Sequence, residues 1–370
     1  MEIRNIKLSK FRNYNYADIN FYSGVNVIYG ENGQGKTNLL EAIHICSCGR
    51  SHRTSKDSDL IKLGEEGYYI SLELKSDSIY PLIEILLRKN DNKRIRINKT
   101  PIKKMGQLMG VLKTVMFSPE DLLIIKEGPS FRRRLLDIFI SQIRPAYFYD
   151  IQRYMKILAN RNRLLKEINE KPSLKETLPV WNAELARTGS LIICMRNEFL
   201  RLLSSYAGLR HKQISNNQES INIVYRPSVK CDDLDNREKI ERQFLAALDK
   251  NYELEIIKGT TLSGPQRDDF DIILNDNDIK VFGSQGQQRT AVLSLKMAQI
   301  DIMKEQTGES PVLLLDDVTS ELDLLRQNYL MDNLAGFQTF ITTTDETVFK
   351  NIKDSEIHFY KVENGNIREG

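Results

Sequence analysis

The sequence predicts an α/β fold: a mixed sheet joined to an antiparallel β-meander, with an α-helical subdomain inserted between its two halves. Three observations predict it. GENGQGKT at 30–37 stands between an apolar strand, VNVIY, and a helix, NLLEAIHIC. Far downstream a second apolar strand, VLLLDD, ends on two acids. Between them, apolar residues from Phe148 to Leu202 recur at three-four spacing, the period of a helix face.

The elements follow in order. IRNIKLSKF, ADINFY and GVNVIYG read as strands, and a helix runs from Lys36 to Cys48. YYISLELKS, LIEILLRK and KRIRINK form the meander, with the turn signal NDN at 90–92. Ser118, Pro119 and Asp121 open the next helix with a cap, a proline and an early acid. Phe148, Ile151, Met155, Leu158 and Leu165 form one seam, with Asn162 in its register. Trp181, Leu185, Ile192, Met195, Phe199 and Leu202 form another, with Thr188 filling a gap. The short polar break NEKPSLKETLP folds these helices back as a short antiparallel arm, each on the order of 30 Å long. An ordinary helical subdomain and a projecting arm both fit this pattern. After Tyr252, LEIIKG, DFDIILND and DIKVFG read as strands, followed by a helix over the stretch FGSQGQQRTAVLSLKMAQIDIM, the strand VLLLDD, a helix from Glu321 and the strand FQTFITTT. The expected divisions are 1–125 and 251–370 for the two parts of the head, and 126–250 for the insertion.

The bulk composition excludes several classes. With 41% hydrophobic and 28% charged residues in 370, the chain has material for a packed core. A net charge of +3 makes any polyanion-binding surface local. Cys46, Cys48, Cys194 and Cys231 are too scattered for a disulfide framework, and Cys46 and Cys48 lack the second pair a zinc site needs. No apolar run reaches the roughly 18 residues of a membrane span, and the expectation is a cytoplasmic protein without membrane partners.

GENGQGKT fits G-x-x-x-x-G-K-[ST] in the strand-loop-helix context that motif requires. Gly30, Gly33 and Gly35, with Glu31, Asn32 and Gln34 between them, let backbone N–H groups wrap phosphate oxygens. Lys36 supplies a point charge for the β- and γ-phosphates, Thr37 a Mg²⁺ ligand, and Asn38 follows directly. Two carboxylates at the mouth of a buried strand are costly without a cation. Asp316 is therefore assigned to phosphate-bound Mg²⁺, and Asp317 to orienting or deprotonating a water. The expected cofactors are ATP and Mg²⁺. FGSQGQQRTA opens its helix on uncharged residues, with Ser284, Gln285, Gly286 and Gln287 offering N–H groups and a hydroxyl to an anion.

Taken together these motifs resemble an ABC-type ATPase head. FGSQGQQRTA resembles that family's signature, with Ser284 and Gly286 as its key pair, and DDVTSELD resembles its acidic strand and D-loop, with Asp316, Asp317, Ser320 and Asp323 in step. The resemblance implies that the signature of one molecule meets the γ-phosphate held by another. KLSKFRNY, GRSHRT, FSPEDLLIIKEGPSFRRRLLD and LSGPQRDD narrow it: the chain resembles the RecF family of bacterial recombination mediators over nearly its whole length. That implies a slow, DNA-dependent ATPase that dimerises on ATP, binds single-strand/double-strand junctions, and works with RecR and RecO to load recombinase. By the same resemblance Arg12 lies near the nucleotide. Asp317 stands where transporters usually carry Glu, and Thr344 where they carry a switch histidine. No Q-loop glutamine is evident near Ser118, and Gln266 stands where the family pattern has His.

Basic residues that could meet DNA phosphates are Arg50, Arg53, Lys99, Lys103, Lys104, Arg132 to Arg134, Arg161, Arg163 and Lys166. No recognition-helix or zinc-finger pattern occurs, so binding is expected to be to backbone and shape, and sensitive to salt. Two other readings compete. SMC-like machines need hundreds of residues of heptads, which this chain lacks. A non-hydrolysing scaffold glued by ATP and binding only protein partners would share the same motifs.

Overall fold

Continuous burial marks the central strands and alternating burial the peripheral ones, and that difference separates the two sheets of the first of two units. The computed structural model describes residues 1–76, 80–168, 170–318, 322–345 and 357–370. One unit holds 1–122 and 296–370, the other 123–295.

The first unit begins with β1 (Glu2–Phe11), β2 (Tyr14–Asn20), β3 (Val25–Tyr29), α1 (Lys36–Cys48), β4 (Gly67–Lys75), β5 (Leu82–Arg88), β6 (Arg94–Ile97), β7 (Thr100–Pro101) and β8 (Thr114–Phe117). The expected meander is present: an antiparallel sheet in the order β2-β1-β4-β5-β6-β7. Helix α1 is buried nearly all round, polar Glu41, His44 and Ser47 included. Leu39, Leu40 and Ile43 share one core with Leu8, Ile70 and Leu72 of this sheet and with Leu314 and Phe340 of the other. A helix buried on all faces of this kind is a layer between sheets.

The second unit contains α2 (Leu123–Lys126), α3 (Pro129–Ile143), α4 (Pro145–Glu167), α5 (Leu178–Ile214), β9 (Ile221–Arg226), α6 (Arg237–Lys250), α7 (Tyr252–Lys258), β10 (Asp269–Leu274), β11 (Asn277–Asp278) and α8 (Ile279–Phe282). Helix α9 (Gln285–Thr307) starts here, and its later turns belong to the first unit. Helices α4 and α5 run antiparallel: Arg144 pairs with Glu198, Arg153 with Glu184, and Arg161 with Asn182. Neighbours α3, α6, α7 and β9 pack along the pair. The buried face of α4 is accordingly broader than the predicted seam. Tyr154, Ile157, Leu158 and Arg161 are buried, while Met155 is 49% exposed.

Two expected strands are helical. LEIIKG lies in α7: Glu255 and Ile256 are buried side by side while Leu254 and Ile257 are exposed, which a two-residue alternation cannot produce. Gly259, at φ 59°, closes this helix as its left-handed C-cap. DIKVFG contributes only the end of the two-residue β11 before turning into α8, capped by Asp278.

The chain completes the first unit with β12 (Val312–Asp316), α10 (Leu324–Asp332), β13 (Thr339–Thr343), β14 (Ile357–Glu363) and β15 (Asn366–Glu369). Its second sheet has the order β15-β14-β3-β13-β12-β8, parallel except for β15. Every residue of β12 and β13 is buried, as strands covered on both faces must be.

Candidate nucleotide site

The phosphate loop joins the C-terminal end of β3 to α1, where parallel strands leave a crevice. Its glycines answer steric needs. A Cβ on Gly30, at φ 149°, would lie 2.4 Å from the Val362 carbonyl oxygen. On Gly35, at φ 117°, it would lie 2.5 Å from the Asn13 amide. The carbonyls of the loop are tied down. Asn13 Nδ2 donates to Gln34 O at 2.6 Å, Gly365 N to the same oxygen at 3.1 Å, and the buried Tyr14 hydroxyl to Gly35 O at 2.9 Å. Asn38 Nδ2 locks Asn13 from the other side at 2.9 Å. The backbone N–H groups of Asn32, Gly33, Gln34 and Gly35 meet no acceptor among the described residues. With carbonyls held outward and N–H groups left over, the loop is a nest for an anion.

Lys36 Nζ donates to Gly30 O at 2.6 Å and Glu31 O at 2.8 Å, curling over the loop. Burial pushes its pKa down, and the charges of Asp317 and Asp316 oppose that shift. The Thr37 hydroxyl donates to Asp316 Oδ1 at 2.8 Å, and Thr342 on β13 donates to the same oxygen at 2.7 Å. Burial raises the Asp316 pKa, and those two hydroxyls restrain the rise. Thr37 and Asp316 are thus in contact, as two ligands of one divalent cation would be. Asp317 adopts the left-handed region at φ 49°, with its N–H donating to Thr342 Oγ1 at 2.9 Å. A backbone in this sparsely populated region leaves strand geometry at Asp317, directly after β12.

Arg12 also has positive φ, at 52°. It is anchored by a bidentate pair with the fully buried Glu41 of α1, at 2.8 and 2.7 Å, and by Asp59 O at 2.9 Å. Ser51 donates to the same carboxylate and Arg53 approaches it at 3.8 Å, while Arg53 also donates to Asn38 at 3.0 Å. Sequence reasoning missed Asn13, Tyr14, Glu41, Thr342 and the clamp from the β14–β15 turn. Only their spatial convergence reveals them. Thr344 lies just after β13 and is exposed. Ser320 lies outside the described residues, and Asp323 caps α10 by accepting from Arg326 N at 3.0 Å. Where a Q-loop would follow β8, Ser118 N donates to Asp121, which is buried against Lys296 at 2.6 Å.

In the second unit the signature stretch forms a reciprocal capping box. Gln287 N donates to Ser284 Oγ at 3.2 Å, and Ser284 N donates to Gln287 Oε1 at 2.9 Å. Gln287 Nε2 donates to Glu219 at 2.8 Å, and that carboxylate also accepts from the buried His211 at 3.2 Å. The Ser284 hydroxyl proton has no acceptor among the described residues. Gln285 and Gly286 fill the first turn of α9.

The basic residues divide sharply. Arg50, Arg53, Lys99, Lys103, Lys104, Arg163 and Lys166 are exposed. Arg161 is not a DNA contact: it is wholly buried, ion-paired with the equally buried Glu255 at 2.7 Å and bonded to Asn182 and Thr261. Arg132 is likewise committed, through a two-point pair with Asp269 at 2.6 and 2.8 Å. Spacing on a helix cannot distinguish a buried cation from a solvated one when its partner lies a hundred residues away.

Comparison with known proteins agrees with this geometry. The family model described as RecF/RecN/SMC N terminal domain matches residues 2–368. A DNA replication and repair protein RecF of Ruminiclostridium cellulolyticum is 48% identical over 368 residues, 99% of each chain. That of Clostridium novyi is 43% identical over the whole of both chains. Two solved structures of the recombination mediator protein RecF in the RecFOR pathway, one RecF-ATP and one RecF-ATPrS, superpose with TM-scores of 0.93 and 0.92. Each has 41% identity and covers all of this chain, and 97% and 98% of the solved chains respectively. An Smc head domain from Pyrococcus furiosus shares the fold at 16% identity, with a TM-score of 0.56 over all of this chain and 95% of that one. The fold is that of an ABC-type ATPase head, and the chain belongs to the RecF family of DNA replication and repair proteins.

Proposed function

We propose that the chain is an ATP-gated DNA-binding mediator: it binds Mg·ATP, dimerises on it, engages gapped or junction DNA, and resets by slow hydrolysis. The observation that carries this reading is the phosphate nest at 32–35 beside the Thr37–Asp316 contact at 2.8 Å. Thr37 and Asp316 would hold Mg²⁺, Lys36 would neutralise the phosphates, and Asp317 would orient the attacking water. Ser284 keeps its hydroxyl proton for the γ-phosphate of a second copy, with Gln285, Gly286 and Gln287 in the same turn. Its neutrality adds no fixed positive charge where two copies of the chain would meet. Arg12, fixed by Glu41, supports the α1 side of the site. RecR and RecO are the expected partners, since the solved relatives belong to the RecFOR pathway.

A ligand shared by two heads stabilises only the dimer, so its differential binding moves the equilibrium. Inverting a 1:99 population requires roughly 5.5 kcal/mol. Charge-assisted hydrogen bonds of about 1.5–3 kcal/mol each supply that from a few contacts per site. Light scattering with Mg·ATP, with and without gapped duplex, tests the reading beside Lys36→Met. Dimers should require ATP and Lys36, and Lys36→Met should weaken nucleotide binding by about 10- to 150-fold. A wild-type monomer under every condition overturns the proposal.

A further inference from the structure

The stretch LSGPQRDD at 262–269 takes no part in the nucleotide chemistry, yet it is among the most heavily anchored turns of the second unit. Gly264, at φ 125°, leaves no room for a Cβ, which would fall 2.3 Å from the Tyr154 hydroxyl. The Pro265 carbonyl accepts from buried Arg196 at 2.6 Å. Gln266 accepts from the Tyr154 hydroxyl and donates to Ser263 O at 3.0 Å. Asp268, fully buried, accepts from the Tyr225 hydroxyl at 2.5 Å and Ser228 N at 2.8 Å. Asp269 holds Arg132 by two bonds.

One side chain of the turn does none of this. Arg267 is exposed, and its guanidinium has no partner among the described residues. A second guanidinium is fixed beside it: Arg133 NH1 donates to the carbonyl of Asp268 at 2.7 Å, with its remaining donors unused. The acids of the turn make their ion pairs elsewhere, Asp268 with Arg196 and Asp269 with Arg132, and reach Arg133 only through space, while Arg267 has no ion pair among the described residues. Burying ion pairs adds little net stability, but it fixes geometry. Here the anchored turn fixes the backbone that carries Arg267 and the Arg133 guanidinium bonded to it, which places two planar, forked cations on one turn, a form suited to a phosphate diester.

We infer that Arg267, with Arg133, forms a nucleic-acid phosphate contact on the second unit. The inference rests on the DNA-binding part of the proposed function. The contact reads no base: guanidinium forks on backbone phosphate fix position and carry no sequence information.

The test uses the full chain with Mg·ATP and a fluorescent gapped duplex, titrated at several salt concentrations. Arg267→Ala should lower the slope of log affinity against log salt by about 0.7–0.9, the contribution of one phosphate contact. Arg267→Lys should retain most of the slope, and Arg267→Glu should lose more than Ala does. Thermal stability, ATP affinity and ATP-dependent dimerisation should match wild type, because the side chain has no internal partner to lose. An unchanged slope in Arg267→Ala, with wild type binding DNA normally, overturns the inference and leaves the proposed function intact. Lost dimerisation with an unchanged slope overturns it too, by assigning the arginine to nucleotide. A wild-type chain that binds no DNA defeats the DNA-binding part of the proposed function itself.

Discussion

The phosphate loop and the signature turn both aim backbone and hydroxyl donors at an anion, yet they are built in opposite ways. The loop at 30–37 draws its partners from Asn13, Tyr14, Asp316 and the turn at 364–365, so that three strands and a helix must be in place before it has its shape. The signature turn closes on itself within four residues, with Glu219 anchoring it from beyond α9. The loop is ringed by charge, with Lys36 facing Asp316 and Asp317. The signature turn carries none. A site that must hold a triphosphate and a cation in one chain needs charges brought together by tertiary structure. A surface that must approach an identical molecule does better with a neutral, locally formed cap, which leaves a hydroxyl proton free and adds no like-charge repulsion.

The sharpest way to break this contrast is at the acidic strand end. Asp317→Asn removes the proposed base and keeps the side chain's size. Turnover should fall by about 10²–10⁴, the usual contribution of a general base, while Mg·ATP still binds. Phosphate release in a single turnover, followed beside light scattering, should show a dimer that persists. If the variant hydrolyses like wild type, Asp317 has another role. If wild type itself never hydrolyses, ATP acts only as glue.

A smaller effect probes the signature side. Glu219→Ala removes the acceptor of both Gln287 and the buried His211, leaving donors unsatisfied at a cost of about 1–3 kcal/mol. The ATP-dependent dimer should weaken accordingly, while nucleotide affinity of the monomer stays put. A normal dimer would mean that the capping box needs no outside anchor, making the local construction of this turn complete.

Local sequence carried the parts of the site that are local in space. GENGQGKT and VLLLDD each encode their own strand, turn and helix context, and the capping box is spelled by Ser284 and Gln287. The rest depends on register. Thr342 meets Asp316 because the two stand opposite each other in the β12–β13 pairing, and no motif marks it. Glu41 looks like one more polar residue of a helix until Arg12 arrives from the end of β1. Arg161 reads as a solvated cation for the same reason in reverse: Glu255, its partner, sits in a stretch that reads as a strand but forms a helix.

The mildest change separates a cap that is only structural from one that also signals. Asp323 and Ser284 both cap helices, and the resemblance assigns both to the nucleotide interface. Asp323 accepts from Arg326 N at 3.0 Å, and its other oxygen is taken by the Arg326 guanidinium, so both its carboxylate oxygens have partners within its own chain. Ser284 differs in keeping a donor proton unused. Replacing Asp323 by Ala should cost about 1 kcal/mol of stability, the usual value of an N-cap. In a unit of roughly 200 residues that lowers Tm by about 2–4 °C. If the cap is only structural, ATP-dependent dimerisation measured well below that Tm should be unchanged. A dimer weakened tenfold would mean that Asp323 exchanges its Arg326 contacts for contacts with a second head. The distinction between capped and available side chains would then fail at this helix.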